Sequence, residues 1–570
     1  MYDLIIRGGR IVDGTGAPAF DGDIAVRDGK IAALGDVQGE ARRQIDASGL
    51  LVAPGWVDTH SHMDGQATWD PLCSPALNHG ITTLVMGNCG VGFAPCLPTE
   101  KAHRDLIEVM EDVEDIPGSA LDEGIEWTWE SFPEYLDTLE ALPRAVDVAA
   151  QVPHCALRVY VMGDRGVHNE KATPEDIEKM AEITKEAISA GAMGFSTSRT
   201  ELHTTRTGEV MPGTYSAEDE LLGIGRSLGE AGKGVYQLVS DWNNWEDEMQ
   251  WMKKLSIENN CQINFTIFYQ QEDQWPRVIQ QLDFVKEANK EGAKLVPNIG
   301  LRPVSVLMNF NGTVNPFFLH QEFNKLAGLT PQERIEALKK PEVRAAILAE
   351  EAPVMGHPVA DRMTTDFDLM FELGEDPNYE PSLEDSIAAK ARAAGVSPQE
   401  YAYDALLARD GEAMIYFPLM GYDCGNLERQ LYMLEHEHSV ISLSDTGAHC
   451  GVLCDASIPT QLLAYFTRDR SRGRRLGVEE AIKMHTADTA NCMGLTDRGT
   501  LEVGKKADIN IIDYDNLKLN APRMAYDLPA GGKRVYQDAE GYRYTIVSGE
   551  VVMQDGQATD ARPGRLIRAA

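Results

Sequence analysis

Between residues 51 and 444, short apolar runs alternate with longer stretches of helical periodicity, and that alternation restricts the fold of this 570-residue chain more than any other feature. Strands that pair in parallel need a crossover of a dozen or more residues, and an amphipathic helix supplies one. The candidate strands are Leu51 to Val57, Thr82 to Gly87, Val146 to Val152, Met193 to Ser196, Gly234 to Val239, Ile263 to Phe268, Lys294 to Ile299 and Val440 to Ser444. Helical stretches such as Pro174 to Ala190 and Ala217 to Ala231 separate them. The pattern predicts an α/β fold, a (β/α)8 TIM-like barrel whose site lies at the C-terminal ends of its strands.

The two ends of the chain follow another pattern. Leu4-Ile5-Ile6 and Ile24-Ala25-Val26 are short strands punctuated by Gly-rich and Asp-Gly turns, and Ala507 to Asp513 and Tyr544 to Val552 read the same way. Residues 1–54 and 495–570 are therefore expected to build one small composite β-sandwich beside a barrel spanning 55–494. The interval 301–438 is too long for a simple βα connection and predicts a largely helical lid inserted between strands seven and eight. Within it, Ser397 as N-cap, Pro398 at the first helical position and Glu400 at the third mark a helix start leading into Tyr401 to Leu407.

Hydrophobic residues make up 43% of the chain and charged ones 25%, which excludes a disordered or collagen-like protein. No apolar run approaches the roughly 18 residues of a membrane span, and the opening Met-Tyr-Asp-Leu-Ile-Ile-Arg lacks the features of a secretory signal. Nine cysteines without paired spacing indicate free thiols in a reducing compartment, so the expected location is cytoplasmic. A net charge of −37 argues against nucleic acid and anionic membranes as partners. A salt-adapted host explains the acidity equally well. Composition leaves a homo-oligomer open.

The chemistry concentrates at strand ends. His60-Ser61-His62 closes the run Leu51 to Thr59, and histidines spaced i, i+2 along a strand point the same way and can share one cation. A divalent metal so held ionises water near neutral pH. The same tripeptide also occurs in surface strands without any ligand. Cys89, in Met86-Gly87-Asn88-Cys89-Gly90, follows the second strand, where it is either a soft ligand suited to zinc or a small buried apolar residue. Asp445, in Ser442 to His449, follows the eighth, either binding metal and accepting a proton from water or capping the next helix.

Taken together, the strand-one HxH, the strand-eight Asp and the β-elements at both ends resemble the amidohydrolase superfamily over nearly the whole chain. The run from Ala67-Thr68-Trp69-Asp70-Pro71 through Gly80-Ile81-Thr82-Thr83 to Gly87-Asn88-Cys89-Gly90-Val91-Gly92-Phe93-Ala94-Pro95 is similar to the N-acyl-D-amino-acid deacylase (D-aminoacylase) group. So are Ala156-Leu157-Arg158 after His154, Gly191 to Thr197 and the closing Gly499 to Asp508. The resemblance implies zinc-dependent hydrolysis of a linear amide bond, with His60, His62 and Cys89 as metal ligands and Asp445 as both ligand and general base.

Two departures stand out against that group. Its histidines from strands five and six are replaced here, on a gapless comparison, by Val239 and Phe265, neither of which ligates a cation. One zinc per chain is therefore expected, held by His60, His62, Cys89 and Asp445. His154, His203 and His449 are the loop histidines able to reach the site or to bond only to backbone; His154 and His449 are candidates for assisting catalysis at the carbonyl oxygen. The basic residues that hold the amino-acid carboxylate in the group also lack clear counterparts, leaving Arg199 and Arg302. Trp242, Trp245, Phe268, Tyr269 and Trp275 either receive an apolar acyl group or pack the lid onto the barrel. Arg199, His203, Arg302, Trp242 and Tyr269 are the substrate-binding candidates. The expected substrate is a small-molecule amide such as an N-acyl amino acid. Ester, lactone or cyclic-imide hydrolysis on the same fold, and a catalytically silent scaffold, are the alternatives.

Overall fold

The computed structural model describes residues 1–569 apart from 206, 207 and 357. Eight parallel strands form the barrel: β1 (Trp56–Asp58), β2 (Ile81–Met86), β3 (Asp147–Ala150, continuing as Val152–Pro153), β4 (Gly194–Arg199), β5 (Val235–Ser240), β6 (Gln262–Thr266), β7 (Leu295–Ile299) and β8 (Val440–Ile441). Their registers run in sequence order, from Asp58 opposite Leu84 in the first pair to Ile299 opposite Ile441 in the last. Closure of the ring comes from a parallel bridge between Ser61 and Thr446, with the His62 N–H donating to the Thr446 carbonyl at 2.8 Å. Each of the eight segments expected from the apolar pattern contributes a strand.

The first is shorter than expected. Leu51–Pro54 belongs to a different sheet, and only Trp56–Asp58 enters the barrel. Gly55 separates the two, and a Cβ there would lie 2.2 Å from the Thr82 hydroxyl, so this crossing of chains requires glycine. Leu51–Pro54 runs parallel to Tyr2–Ile11 and antiparallel to Ile509–Ile512, inside a nine-stranded sheet that draws strands from both ends of the chain. Ile6, Ile24, Val52, Ile509, Ile511 and Ile546 form its apolar core.

Helices cover the barrel: α1 (Glu100–Glu114), and, where periodicity places them, α2 (Pro174–Ala190) and α3 (Glu218–Ala231). Thr173 and Asp176 form a capping box at the start of α2, Pro174 takes the first turn, and Gly191 ends the helix in the left-handed region. Residues 301–438 contain helices, among them α4 (Pro398–Leu407), whose Ser397 and Glu400 form the expected capping box. They also hold a three-stranded antiparallel sheet of Ser305–Met308, Met414–Pro418 and Phe371–Leu373, which the sequence pattern did not reveal. Phe310, Phe317, Ile335, Tyr403, Leu406 and Phe417 give this segment an apolar cluster of its own. Among the described residues no helix is long and apolar enough to cross a membrane.

Candidate metal centre

His60 and His62 follow β1, and the local hydrogen bonding explains why they turn toward the barrel axis. Asp58 accepts from the His60 N–H at 3.0 Å and from the Ser444 hydroxyl at 2.6 Å, so one buried carboxylate ties the end of β1 to the segment after β8. Burial pushes the Asp58 carboxyl up to about 6. Cys89 follows β2 with a positive φ of 52°, and its N–H donates to the Gln237 side chain of β5 at 2.9 Å. Asp445 follows β8, also at positive φ. Two strained backbones at donor positions are what a site that over-determines its geometry shows.

The donor atoms of His60, His62 and Cys89 lie within 4.8 Å of one another, the one such group of three among the described residues. His60 Nε2 is 3.1 Å from Cys89 Sγ and 3.3 Å from an Asp445 oxygen, and the same oxygen is 3.7 Å from His62 Nε2. Both imidazoles are fully buried, yet His60 Nδ1 and both nitrogens of His62 have no hydrogen-bond partner. Buried polar atoms are rarely left so, and a set of nitrogen, sulfur and carboxylate donors facing one point fits a zinc-sized cation. Burial pushes the Cys89 thiol up to about 12 and the His60 imidazole down to about 4, so without a cation both are neutral near pH 7. Burial also opposes charge on His62 and Asp445, but the Glu114 and Asp445 carboxylates outweigh it and push His62 up, and His62, His60 and His449 hold Asp445 well below the carboxylate range.

Val239 and Phe265 are buried and bring no donor; Phe265 packs edge-on against Trp242 with ring centres 5.6 Å apart. His449 Nε2 lies 3.6 Å from a Glu114 oxygen. His203, half-buried, bonds Ser198 through Nδ1 at 3.0 Å.

Other expected site residues are committed elsewhere. His154 has both ring nitrogens engaged, by Thr197 at 2.8 Å and Glu220 at 3.0 Å, leaving no donor for a carbonyl oxygen. Arg199 pairs with Glu248 at 2.6 Å, and Arg302 pairs with Asp455 at 2.8 Å beneath the ring of Tyr379. The Trp242 indole donates to the Thr266 carbonyl and the Tyr269 hydroxyl to the Gly421 carbonyl, both side chains being fully buried. Tyr269 and Arg302 share a cavity of about 20 Å³, room for a water molecule but not for an acyl chain. His154, Arg199, Trp242 and Tyr269 therefore hold the fold together in this structure, while Arg302 keeps Nη2 without a partner and its partner Asp455 lines the cavity that Asp445 opens onto.

Glu114 is the residue that sequence reasoning missed. It ends α1 with 1% exposure, 3.7 Å from His62. The signal was present: Leu106, Met110 and Glu114 recur at i, i+4 on the buried face of α1, and an acid on such a stripe breaks the pattern.

The donor cluster stands at the C-terminal ends of the strands of a parallel barrel. The comparisons name the class more closely: residues 43–553 match the model of the Amidohydrolase family, and the chain belongs to that family. D-aminoacylase of Alcaligenes xylosoxydans xylosoxydans is 39% identical over 197 residues, 34% of this chain and 37% of the relative. N-acyl-D-glutamate deacylase of the same organism is 32% identical over 252 residues, 40% of this chain and 48% of the relative. The chain thus matches less than half the length of these curated relatives. Among solved structures, a D-aminoacylase D366A mutant with copper chloride superposes over the full length of both chains with a TM-score of 0.65 at 22% identity. The N-acyl-D-glutamate deacylase of Bordetella bronchiseptica, complexed with zinc and a phosphonate inhibitor, does so at 0.63 and 23%. These likenesses show the fold.

Proposed function

We propose that this chain is a zinc-dependent amidohydrolase that cleaves the amide bond of N-acyl amino acids or related small amides, with the D-configuration suggested by its relatives. The observation that carries the reading is the convergence of three separate strand ends: the buried donor atoms of His60, His62 and Cys89 lie within 4.8 Å of one another, and an oxygen of the part-exposed Asp445 lies 3.3 Å and 3.7 Å from the two imidazoles. One zinc ion would be held by these four side chains, and when bound it supplies Lewis acidity and makes water a nucleophile near neutral pH. Asp445 accepts the proton of the attacking water and delivers it to the departing nitrogen, so that the C–N bond breaks to give a carboxylic acid and an amine. In this reading His449, four residues after Asp445, donates to the carbonyl oxygen, and His203 contacts the substrate. Asp445 opens onto a cavity of about 20 Å³, so substrate entry requires movement of the surrounding loops. In this reading residues 301–438 act as the lid, residues 1–54 and 495–570 form the β-sandwich beside the 55–494 barrel, and the protein works in the cytoplasm. All nine cysteines are unpaired, in keeping with that location.

The test combines metal content by elemental mass spectrometry with a panel of N-acyl D- and L-amino acids, their ester analogues and cyclic imides. Wild type is expected to carry one equivalent of zinc and to favour linear amides. The His60→Ala, His62→Ala double variant loses the metal, and Asp445→Asn loses about 10²–10⁴-fold in kcat/KM. Two equivalents of metal contradict the single-ion arrangement, and faster turnover of esters or imides moves the activity to another bond. No metal after zinc is offered leaves a silent scaffold.

A further inference from the structure

Glu114 breaks two rules at once. A carboxylate at a helix C-terminus faces the negative end of the helix dipole, a buried one is costly without a cationic partner, and this one has no Lys or Arg contact among the described residues. Its side-chain ion-pair contacts are two imidazoles: Oε1 lies 3.7 Å from His62 Nδ1 and Oε2 lies 3.6 Å from His449 Nε2. Oε1 and His62 Nδ1 are both buried without a hydrogen-bond partner. The end of α1 is moreover fastened in place. The His449 N–H donates to the Glu114 carbonyl, and the neighbouring Asp115 carboxylate accepts from Gly451 N–H at 3.0 Å and from the Thr313 hydroxyl at 2.9 Å. One helix end is thereby held against the loop after β8 while its last side chain reaches the histidine pair after β1.

We infer that Glu114 is a positioning residue of the metal centre, one carboxylate setting two imidazoles. With a cation on His62 Nε2, which faces Asp445, Oε1 would close the 3.7 Å gap to accept the Nδ1–H of His62. Oε2 holds His449 toward the same site. An imidazole that binds metal through one nitrogen ordinarily donates from the other to such an acceptor, which fixes its ring and raises its basicity. Conflicts between local rules and a buried side chain are expected where function requires them. The inference rests on the zinc reading above and adds to it a residue from a helix, not from a strand end.

Zinc affinity is measured by chelator competition on wild type, Glu114→Gln and Glu114→Asp, with thermal unfolding as the check on folding and the absorption spectrum of the cobalt(II)-loaded proteins as a report on ligand geometry. Glu114→Gln is expected to fold, to bind zinc about 10–100-fold more weakly and to shift the cobalt spectrum, with Glu114→Asp recovering part of the loss. Wild-type affinity and spectrum in Glu114→Gln overturn the inference while leaving the zinc reading intact. Should Glu114→Gln not fold, Glu114→Asp carries the test: its shorter carboxylate is expected to weaken binding, and unchanged affinity overturns the inference. A wild-type protein that binds no zinc brings down both.

Discussion

Glu220, on α3, places one oxygen 3.0 Å from His154 Nε2 and against the Arg158 guanidinium, all three side chains being buried. Burial pushes its carboxyl up, but His154 and Arg158 outweigh that and hold it at about 2, against an ordinary 4.5. Because the folded value lies below the unfolded one, the unfolded chain binds more protons between these two values, and stability is lost as pH falls through that window. The contribution above pH 4.5 is on the order of 3 kcal/mol. Thermal unfolding of wild type and Glu220→Gln should therefore differ most above pH 4.5, with the gap closing as pH approaches 2; a gap independent of pH would assign the carboxylate no such role. The Glu220 contact and one from Thr197 engage both nitrogens of His154, which its sequence context does not reveal. A histidine after a barrel strand looks free in a sequence, since nothing local announces that a helix 66 residues further on supplies its partner. The partner of Arg302, Asp455, is likewise remote in sequence. His60, His62, Cys89 and Asp445 were legible because each stands directly after an apolar run. Glu114 was not, because it ends a helix whose approach to His62 no local pattern encodes.

At the scale of elements, what was legible depended on local signals. Pro174–Ala190 and Pro398–Leu407 were readable to their ends because Thr173 and Ser397 cap them, proline opens them and acids at the third position close the box. The eight barrel strands were readable as short apolar runs. The sheet inside 301–438 was not, because Ser305–Met308 pairs with Met414–Pro418 across more than a hundred residues, and no local pattern encodes such a partner. Nor was the break at Gly55, since it depends on the Thr82 side chain crossing there. The capping box supplies the prediction. Ser397 Oγ accepts from the Glu400 N–H at 3.2 Å, and the Glu400 carboxylate accepts from the Ser397 N–H at 3.0 Å. Ser397→Ala removes one arm and should cost about 1 kcal/mol. Hydrogen exchange across 398–407 should then rise about fivefold while the barrel strands stay protected; acceleration across the barrel as well would mean that the inserted segment and barrel open as one unit.

For the whole molecule, the charge imbalance poses a question of sign. With 89 acidic and 52 basic residues, even complete pairing leaves 37 carboxylates unmatched. Much of the basic complement is already engaged inside the fold, as with Arg470 against Glu380, Arg498 against Asp147 and Arg302 against Asp455, and these buried pairs are only weakly screened by salt. The exposed pairs, such as Lys185 with Glu230 or Lys290 with Glu287, are screened, but each contributes about 0–1 kcal/mol. Repulsion among the unmatched carboxylates is screened at the same time, and it acts between many more partners than any single pair. Screening the repulsion should therefore win. Raising sodium chloride from about 10 mM to about 0.5 M, which shortens the Debye length from about 30 Å to a few ångströms, should raise the midpoint of thermal unfolding by a few degrees. Potassium chloride should act alike, since the effect depends on ionic strength and not on the cation. A falling midpoint would mean that the exposed ion pairs outweigh the excess acid, and that the imbalance serves solubility at no cost to the fold.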